Sequence, residues 1–462
     1  MSRILLVTLG LCASSWLSGQ SLWHFTSRLT QPWAGSARYM ATGGALSSLG
    51  NDPSAILDNP ATAATYRAGE ISLTGLYRQS IGGMVSQGAY LPAFHWGSAI
   101  EGTDGSIIAF SLDTRQSRFQ PSPWSEYGTD IGTSQVQSWL AQAGNRSPDE
   151  CFNEGLYGPY AAYQAYVLEY DGQNLYPIML GDPSLRSMSF TRSSVQNQVQ
   201  GSVAVRTNRI SFGGALEYYQ AKTKESTYIS EYGYAQDSYL LTIASRQTDS
   251  AVSGGVRMRF GFLGRVGEGT RISGFLHAQS LATTRWHYRY RIMPGPSNPN
   301  GVGVEPFELY QDENLKLIQP GSGGMGIAQV FGSNGFLSAE YRFTPAPKRP
   351  IQSPLSFMGI GEEIAAELKA QHDMRIGAEW RQDAISFRAG IHHASRASLF
   401  VEHSGFTQFS MGMGVRNAQS FFDIALSTQF RQGKIIHPLE GYVWNLPAQE
   451  WMLVATYSVR LR

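Results

Sequence analysis

The chain has 462 residues, with 36 Lys and Arg against 35 Asp and Glu and a formal net charge of +1. This balance gives no support to a basic nucleic-acid-binding surface. Only 15% of the residues are charged, 12% are aromatic and 50 are Gly, a mixture that is unusual for a soluble enzyme. The mean hydropathy of −0.22 still permits membrane strands, because such a strand exposes only alternate side chains to lipid.

Residues 1–20 have the pattern of a secretory signal peptide. Arg3 supplies the positive charge, Ile4–Ala13 the apolar core and Ser18-Gly19-Gln20 the small-residue exit. The apolar run is too short to cross a bilayer as a helix. The sequence therefore predicts an exported protein without a membrane helix.

The chain contains two cysteines, Cys12 and Cys151. Leu11 is too bulky for the residue that precedes a lipidated cysteine, so we do not expect a lipoprotein. Once the signal peptide is removed, Cys151 has no partner for an internal disulfide. A single Cys without a nearby base is more often inert than nucleophilic, and the sequence assigns this one no role.

Residues 21–69 are predicted to form an N-terminal plug, or hatch. Within them, Gly35–Ala61 is rich in Gly, Ala and Ser, poor in charge, and ends in Asn59-Pro60-Ala61. Small residues let backbones approach closely, and the Gly and Pro residues prevent a long helix. Such a segment suits a compact plug inside a larger structure. A loop-rich N-terminal arm is the alternative.

From Glu70 onward, apolar and polar residues alternate with a period of two. In the clearest example, Met374, Ile376, Ala378 and Trp380 oppose Arg375, Gly377 and Glu379. A soluble sandwich alternates in the same way. The long segments, the aromatic residues near strand ends and the uneven connections favour a transmembrane antiparallel β-barrel over residues 70–462.

The alternation divides into about fourteen strands. An even number places both ends of the barrel on the periplasmic side. Short turns such as Thr207-Asn208 and Ser333-Asn334 fit that side, and long extracellular loops are predicted at about 117–186, 282–313 and 345–369. The predicted strands lie near 70–78, 89–99, 105–116, 187–206, 209–219, 238–263, 268–281, 314–331, 334–344, 370–381, 384–394, 405–416, 419–431 and 449–461.

No catalytic, metal or cofactor motif is recognised. Gly321, Gly323 and Gly326 match G-x-G-x-x-G, but they open a predicted strand with no helix after it, so a phosphate-binding turn is not expected. His392 and His393 are adjacent on a strand and must point to opposite faces. The sequence therefore favours a protein that is not an enzyme.

The alternation also turns several charged residues toward the predicted lumen. One interpretation is a network of ion pairs between wall and plug, because buried charges must be paired. The other is that Arg375, Arg388, Arg431 or Arg460 holds the carboxylate head group of a ligand whose apolar tail lies elsewhere. The predicted lumenal charges are Glu340, Arg342, Arg375, Glu379, Arg388, Asp423, Arg431 and Arg460.

Together these features resemble the FadL/TodX family of outer-membrane transporters for hydrophobic compounds, and most of all its branch in Bacteroidetes-type bacteria. The resemblance is carried by Gly35–Arg67, with Asn59-Pro60-Ala61 just before the first strand, by Tyr160–Tyr166 and by Met374–Trp380. It covers most of the mature chain. The terminal Arg462 departs from the aromatic residue that ends many outer-membrane barrels.

The resemblance implies a hatch-gated barrel for passive uptake of molecules such as long-chain fatty acids across the Gram-negative outer membrane. We assign gating to Asn59, Pro60, Ala61, Gly43 and Gly44. It also implies, in some members, a lateral exit beside the third strand, here about 105–116. The expected partners are a hydrophobic ligand, outer-membrane lipid and lipopolysaccharide, and other outer-membrane proteins.

Two other functions stay open on the sequence alone. The barrel could serve as a partner of a protein-secretion or surface-anchoring complex, with the Tyr-rich segment 117–186 as its docking surface. A lipid hydrolase would need a Ser, a His and an orienting polar group on one patch of wall, and the sequence does not reveal that set.

Overall fold

The computed structural model describes residues 34–81, 87–119, 124–129, 133–235, 240–295, 305–352, 365–366, 368–395, 405–436 and 443–461. The predicted signal peptide 1–20 and the first part of the predicted hatch lie outside these residues. Among the described residues, no α-helix is long and apolar enough to cross a membrane.

The described chain is mostly β-structure, with short helices in two places. The helices are α1 (Ala37–Ala41), α2 (Pro53–Asp58), a 3-10 helix (Pro60–Thr65), α3 (Gln135–Ala143), α4 (Pro148–Asn153) and α5 (Tyr157–Gln164). The strands are β1 (Gly69–Ile81), β2 (Gln87–Glu101), β3 (Ile107–Phe119), β4 (Trp124–Gly128), β5 (Leu168–Tyr170), β6 (Leu175–Pro177), β7 (Leu185–Thr207), β8 (Ile210–Tyr232), β9 (Thr242–Arg265), β10 (Thr270–His277), β11 (Ser280–Pro294), β12 (Phe307–Gln319), β13 (Ser322–Val330), β14 (Gly335–Thr344), β15 (Ile351–Gln352), β16 (Gln371–Gln382), β17 (Ile385–Ala394), β18 (Phe406–Arg416), β19 (Ser420–Ile436) and β20 (Val443–Leu461).

The main sheet closes on itself. β1 pairs with β20 from Gly69 opposite Leu461 to Ile81 opposite Gln449. The sheet contains 18 segments, and four barrel strands consist of two segments each, namely β3 with β4, β10 with β11, β12 with β13 and β14 with β15. The barrel therefore has 14 antiparallel strands, as predicted. Closure gives each strand two neighbours, so its backbone donors and acceptors are satisfied within lipid.

The two faces of the wall differ as the alternation predicts. On β16, Trp380 is 70% exposed and Ile376 52% exposed, whereas Arg375 and Glu379 are buried. The apolar side chains therefore point outward and the charged ones inward. A soluble sandwich would bury the apolar face instead, so the structure excludes that alternative.

The connections are uneven at the two ends of the barrel. Tight turns such as Asn208-Arg209 and Asp383-Ala384 lie at the end where β1 begins and β20 finishes. The long connections lie at the opposite end. The predicted loop 282–313 is mostly strand, because β11 continues to Pro294 and β12 begins at Phe307.

Residues 133–184 form an outer helical unit at the long-loop end. The hydroxyl of Ser134 caps α3, and Ser147 caps α4, each in a capping box. Trp139 is buried, and its Nε1 donates to the Tyr290 hydroxyl at 3.1 Å. The unit therefore packs against inward-facing aromatic residues of β11. Cys151 is buried in the same cluster, and burial raises the pKa of its thiol, which fits an inert residue.

Candidate functional site: the plug and its seat in the barrel

Residues 34–66, called the plug from here on, fill the barrel at the short-turn end. Three local caps define its shape. Ser36 accepts from the Tyr39 amide and starts α1, and Asp52 accepts from the Ser54 amide and starts α2. The Ser36 hydroxyl also donates to Asp52 at 2.7 Å, so a hydrogen bond joins the side chains that cap the two helices.

The triplet Asn59-Pro60-Ala61 forms the start of the 3-10 helix. Asn59 Oδ1 accepts from the Ala61 amide at 3.1 Å, and Pro60 occupies the first helical position, where no amide hydrogen is needed. The Asn59 side-chain amide donates to the carbonyls of Ser47 at 2.9 Å and Phe262 at 3.1 Å. One side chain thus caps a helix, ties two parts of the plug together and fastens them to β9.

Glycines of the wall receive the backbone of the plug. A Cβ atom on Gly213 would lie 2.7 Å from the Pro60 carbonyl oxygen, and one on Gly377 would lie 2.5 Å from that of Thr42. A Cβ on Gly261 would collide with Asn59 Oδ1, and one on Gly390 with the Gly43 amide. These wall positions must be glycine for the plug to sit this close.

The plug also supplies glycines where its own chain turns. Gly43 and Gly44 have φ values of +59° and +79°, and a Cβ on Gly43 would lie 2.7 Å from the Ile391 carbonyl oxygen. The predicted gating residues therefore touch two different parts of the wall. Asn59, Pro60 and Ala61 lie against β8 and β9, and Gly43 lies against β17.

Asp58, the last residue of α2, is the main charged link between plug and wall. Its carboxylate lies 2.8 Å from Arg342 Nη2 and 3.0 Å from Arg375 Nη1, and it accepts from the Tyr39 hydroxyl. Arg375 also pairs with Glu340 at 3.0 Å. All of these groups are buried, so each charge depends on its partners.

A second charged cluster holds α1. Arg38 Nε donates to Glu379 at 2.9 Å, and Glu379 also accepts from Arg388 and Arg381, both at 2.6 Å. Arg388 reaches Asp423 at 2.7 Å. On β9, Arg259 donates to the Leu57 carbonyl, and on β10, His277 Nε2 lies 2.7 Å from the Asp58 carbonyl oxygen. Wall strands on several sides of the plug therefore contact it.

The four arginines predicted for a ligand head group fall in three different surroundings. Arg375 and Arg388 each have two close carboxylate partners, as expected for the wall–plug network. Arg431 is half-buried, 3.1 Å from Gln429 and 4.0 Å from Glu450. Arg460 is exposed at the short-turn rim over the Phe421 ring. Their role toward a ligand stays a prediction.

Several residues of the site were not singled out from the sequence. Asp58 and Arg38 lie in short helices of the plug, where no strand periodicity marks an inward side chain. Arg259 lies on β9, where it alternates with outward residues and faces inward. Within the plug, the position of Asp58 directly before Asn59-Pro60-Ala61 was the one available signal.

One Ser, His and Asp do meet on the wall between β2 and β3. Asp113 accepts from the Ser111 hydroxyl at 2.7 Å and lies 2.6 Å from His95 Nδ1. The carboxylate therefore stands between the Ser and the His. A hydrolytic triad needs the His in the middle, so that the base can take the proton of the Ser.

Within the described residues, no group of three or more His, Cys, Asp or Glu side chains is arranged to hold a metal ion.

The fold of this chain is similar to that of several solved outer-membrane channels. The fold matches the CymD monoaromatic hydrocarbon channel with a TM-score of 0.59 at 12% identity, covering 93% of this chain and 98% of that one. A Pseudomonas aeruginosa FadL homologue matches with a TM-score of 0.58 at 10% identity, covering 93% and 99%. The Pseudomonas putida toluene transporter TodX matches with a TM-score of 0.55 at 11% identity, covering 94% and 100%.

The resemblance to the FadL/TodX family is therefore confirmed at the level of the fold. The narrower Bacteroidetes-like branch stays a prediction. No protein-family model matches the sequence, and no curated protein matches it either.

Proposed function

We propose that this chain is a Gram-negative outer-membrane channel for passive uptake of hydrophobic small molecules, with long-chain fatty acids as one candidate class. The observation that carries the proposal is a plug seated inside a closed barrel with an apolar outer wall. Solved structures with this fold include a monoaromatic hydrocarbon channel and a toluene transporter, which supports a hydrophobic ligand.

The plug is the gate in this proposal. It is held by buried ion pairs and by close backbone contacts, so the seated state is favoured without a ligand. A ligand that binds better when the plug is displaced shifts the population toward the displaced state. No covalent step is required.

A reversible lock on the plug tests the gate. The hydroxyls of Ser47 in the plug and Ser273 in the wall are 3.0 Å apart, close enough for a disulfide in the double variant S47C/S273C. Ser253 and Thr284, both in the wall and 2.7 Å apart, give the matched control S253C/T284C. The measurement is uptake of radiolabelled oleate and toluene by cells, before and after reduction.

We expect oxidised S47C/S273C to lose uptake and to regain it with reductant, while oxidised S253C/T284C keeps it. Equal uptake by the oxidised and reduced plug-locked protein contradicts a moving plug. Equal uptake by cells with and without the gene contradicts the transport function itself. Mass spectrometry of apolar molecules extracted from gently purified protein then identifies the natural ligand class.

A barrel partner of a secretion or surface-anchoring complex is the second candidate. The observation in its favour is the outer helical unit, which exposes Tyr166 by 67% and Leu180 by 53%. Stable co-purification with another outer-membrane complex, lost in Y166N/L180S, supports this candidate. Purification of the barrel alone under the same mild conditions contradicts it.

A further inference from the structure

The outward face of β8, β9 and β11 carries six exposed cations near the long-loop end, called the basic rim from here on. They occupy neighbouring rows of the ladder. In one row Lys222 faces Val252, which faces Arg285, and three rows further on Tyr228 faces Arg246, which faces Arg291. The basic rim consists of Lys222, Lys224, Arg246, Arg285, Arg289 and Arg291.

An apolar surface lies directly below the basic rim on the same strands. On β8, Ile210, Phe212, Leu216 and Tyr218 point outward and are 49–64% exposed. From Ile210 to Lys222 the strand rises about 41 Å, and a tilt of about 40° reduces this to about 31 Å along the membrane normal, somewhat more than the roughly 25 Å height of an apolar membrane band. The basic rim therefore begins where the lipid tails end and the head groups begin.

Four cations of the basic rim have no competing acid. Within the described residues, no carboxylate lies within 4.0 Å of Lys222, Lys224, Arg246 or Arg291. The two anions nearby, Asp312 and Glu308, stand on β12 and pair with Arg285 at 2.8 Å and Arg289 at 3.2 Å. The face therefore keeps a clear excess of positive charge.

The same face is not flat. One depression of about 600 Å³ lies among the cations, and the charged residues that line it are Lys224, Arg246, Arg289, Arg291 and Glu308. Another of about 880 Å³ lies below it, where Gly254 leaves space between Tyr218 and Leu281. A cationic hollow thus stands above an apolar one on the lipid-facing surface.

We propose that this face binds a lipid A-type glycolipid, with its phosphates on the basic rim and its acyl chains along the apolar hollow. Lys and Arg are the natural partners of phosphate. From the row of Lys222 to the row of Tyr228, the cations extend about 20 Å along the strand, which is more than a single phosphate can contact. The inference rests on the proposed outer-membrane location, where the long-loop end faces the outer leaflet.

Purified protein in detergent micelles tests this proposal. The probes are bisphosphoryl lipid A, its dephosphorylated form and phosphatidylglycerol, each titrated and followed by native mass spectrometry. The test variant is K222Q/K224Q/R246Q/R291Q. The matched control is R209Q/R265Q, which removes exposed arginines at the opposite ends of β8 and β9.

We expect the wild type to bind bisphosphoryl lipid A at least tenfold more tightly than either other probe. The quadruple variant should lose at least tenfold in that affinity, and R209Q/R265Q should lose none. The smaller variant K222Q/K224Q, expected to lose at least threefold, serves if the quadruple variant does not fold.

Undiminished affinity in the folded basic-rim variants overturns the proposal, as does equal affinity for lipid A with and without phosphates. Equal binding of phosphatidylglycerol also overturns it, because that result describes general attraction to anionic lipid. The assay involves no uptake, so failure of the channel function leaves its result unchanged.

Discussion

At the residue scale, one carboxylate and a few glycines hold the plug in place. Asp58 neutralises two wall arginines in a space closed to water, and Gly213 lets the Pro60-Ala61 peptide lie directly on β8. Neither contact is a matter of general hydrophobicity. Both depend on one atom group at one position, so single substitutions can test them.

D58N is expected to destabilise the seated plug strongly. It leaves Arg342 and Arg375 buried with one carboxylate fewer, and breaking a buried pair in this way costs about 3–5 kcal/mol. Hydrogen exchange of plug amides measures the effect. D312N, which removes the partner of exposed Arg285, is the control and should change exchange far less. Equal protection of the plug in D58N and wild type contradicts the role given to Asp58.

G213A is expected to displace the plug locally and to admit more of a hydrophobic dye into cells. Its new methyl group would occupy the space of the Pro60-Ala61 peptide, whose backbone cannot give way cheaply. G214A is the matched control, because its Cβ would lie 4.0 Å from its nearest neighbours. Similar dye entry in both variants would mean that the close backbone contact is not needed.

Part of this site could be predicted from the sequence. Strict alternation placed Arg375, Arg388 and Glu379 on the inner face of the wall, because a strand has a fixed period of two. Their partners Asp58 and Arg38 could not be predicted. They belong to a segment without periodicity, whose position depends on the barrel being closed around it.

At the scale of single elements, strand positions were predictable where lipid enforces the alternation. β16 and β17 match their predicted bounds closely. β8 was predicted to end near residue 219 but continues to Tyr232, because its outward residues above Gln220 face head groups and water. The ladder of hydrogen bonds continues there, while the hydrophobic signal that reveals a strand does not.

W139A is expected to loosen the outer helical unit and leave the barrel intact. Truncating a buried Trp costs about 3–5 kcal/mol, and this one also loses its hydrogen bond to Tyr290. Limited proteolysis between residues 133 and 184 measures the change, with Y166N as an exposed control. Unchanged cleavage in W139A would mean that the unit is held mainly by other contacts.

At the scale of the whole molecule, the number of barrel strands followed from the sequence because every strand must cross the same apolar thickness. The division of four of these barrel strands into two segments each could not be predicted from the sequence. At one of these points β11 gains an extra residue against β9, between the pairs His277–Arg259 and Leu281–Val256. Such a bulge depends on the pairing of three strands together.

Deleting residues 34–66 is expected to leave a folded, open barrel. Without the plug, the wall charges of β14, β16 and β17 face water in the bore and no longer require buried partners. We therefore expect the deletion to cost the barrel little stability, in contrast to D58N, which leaves wall arginines buried with one carboxylate fewer. Planar-bilayer conductance measures whether the bore is open, and heat-modifiable gel mobility measures whether the barrel is folded. A closed or unfolded deletion variant contradicts this expectation.

The plug is joined to the barrel through Arg67 and Ala68, which lead directly into Gly69, where β1 pairs with β20. A displaced plug therefore stays covalently attached at one point of the barrel end, so it can change its orientation but cannot diffuse away. Its effective concentration at its own seat stays in the millimolar range or above. In the proposed gate, reclosure is then an intramolecular step at this local concentration, so each opening is followed by return of the plug to its own seat.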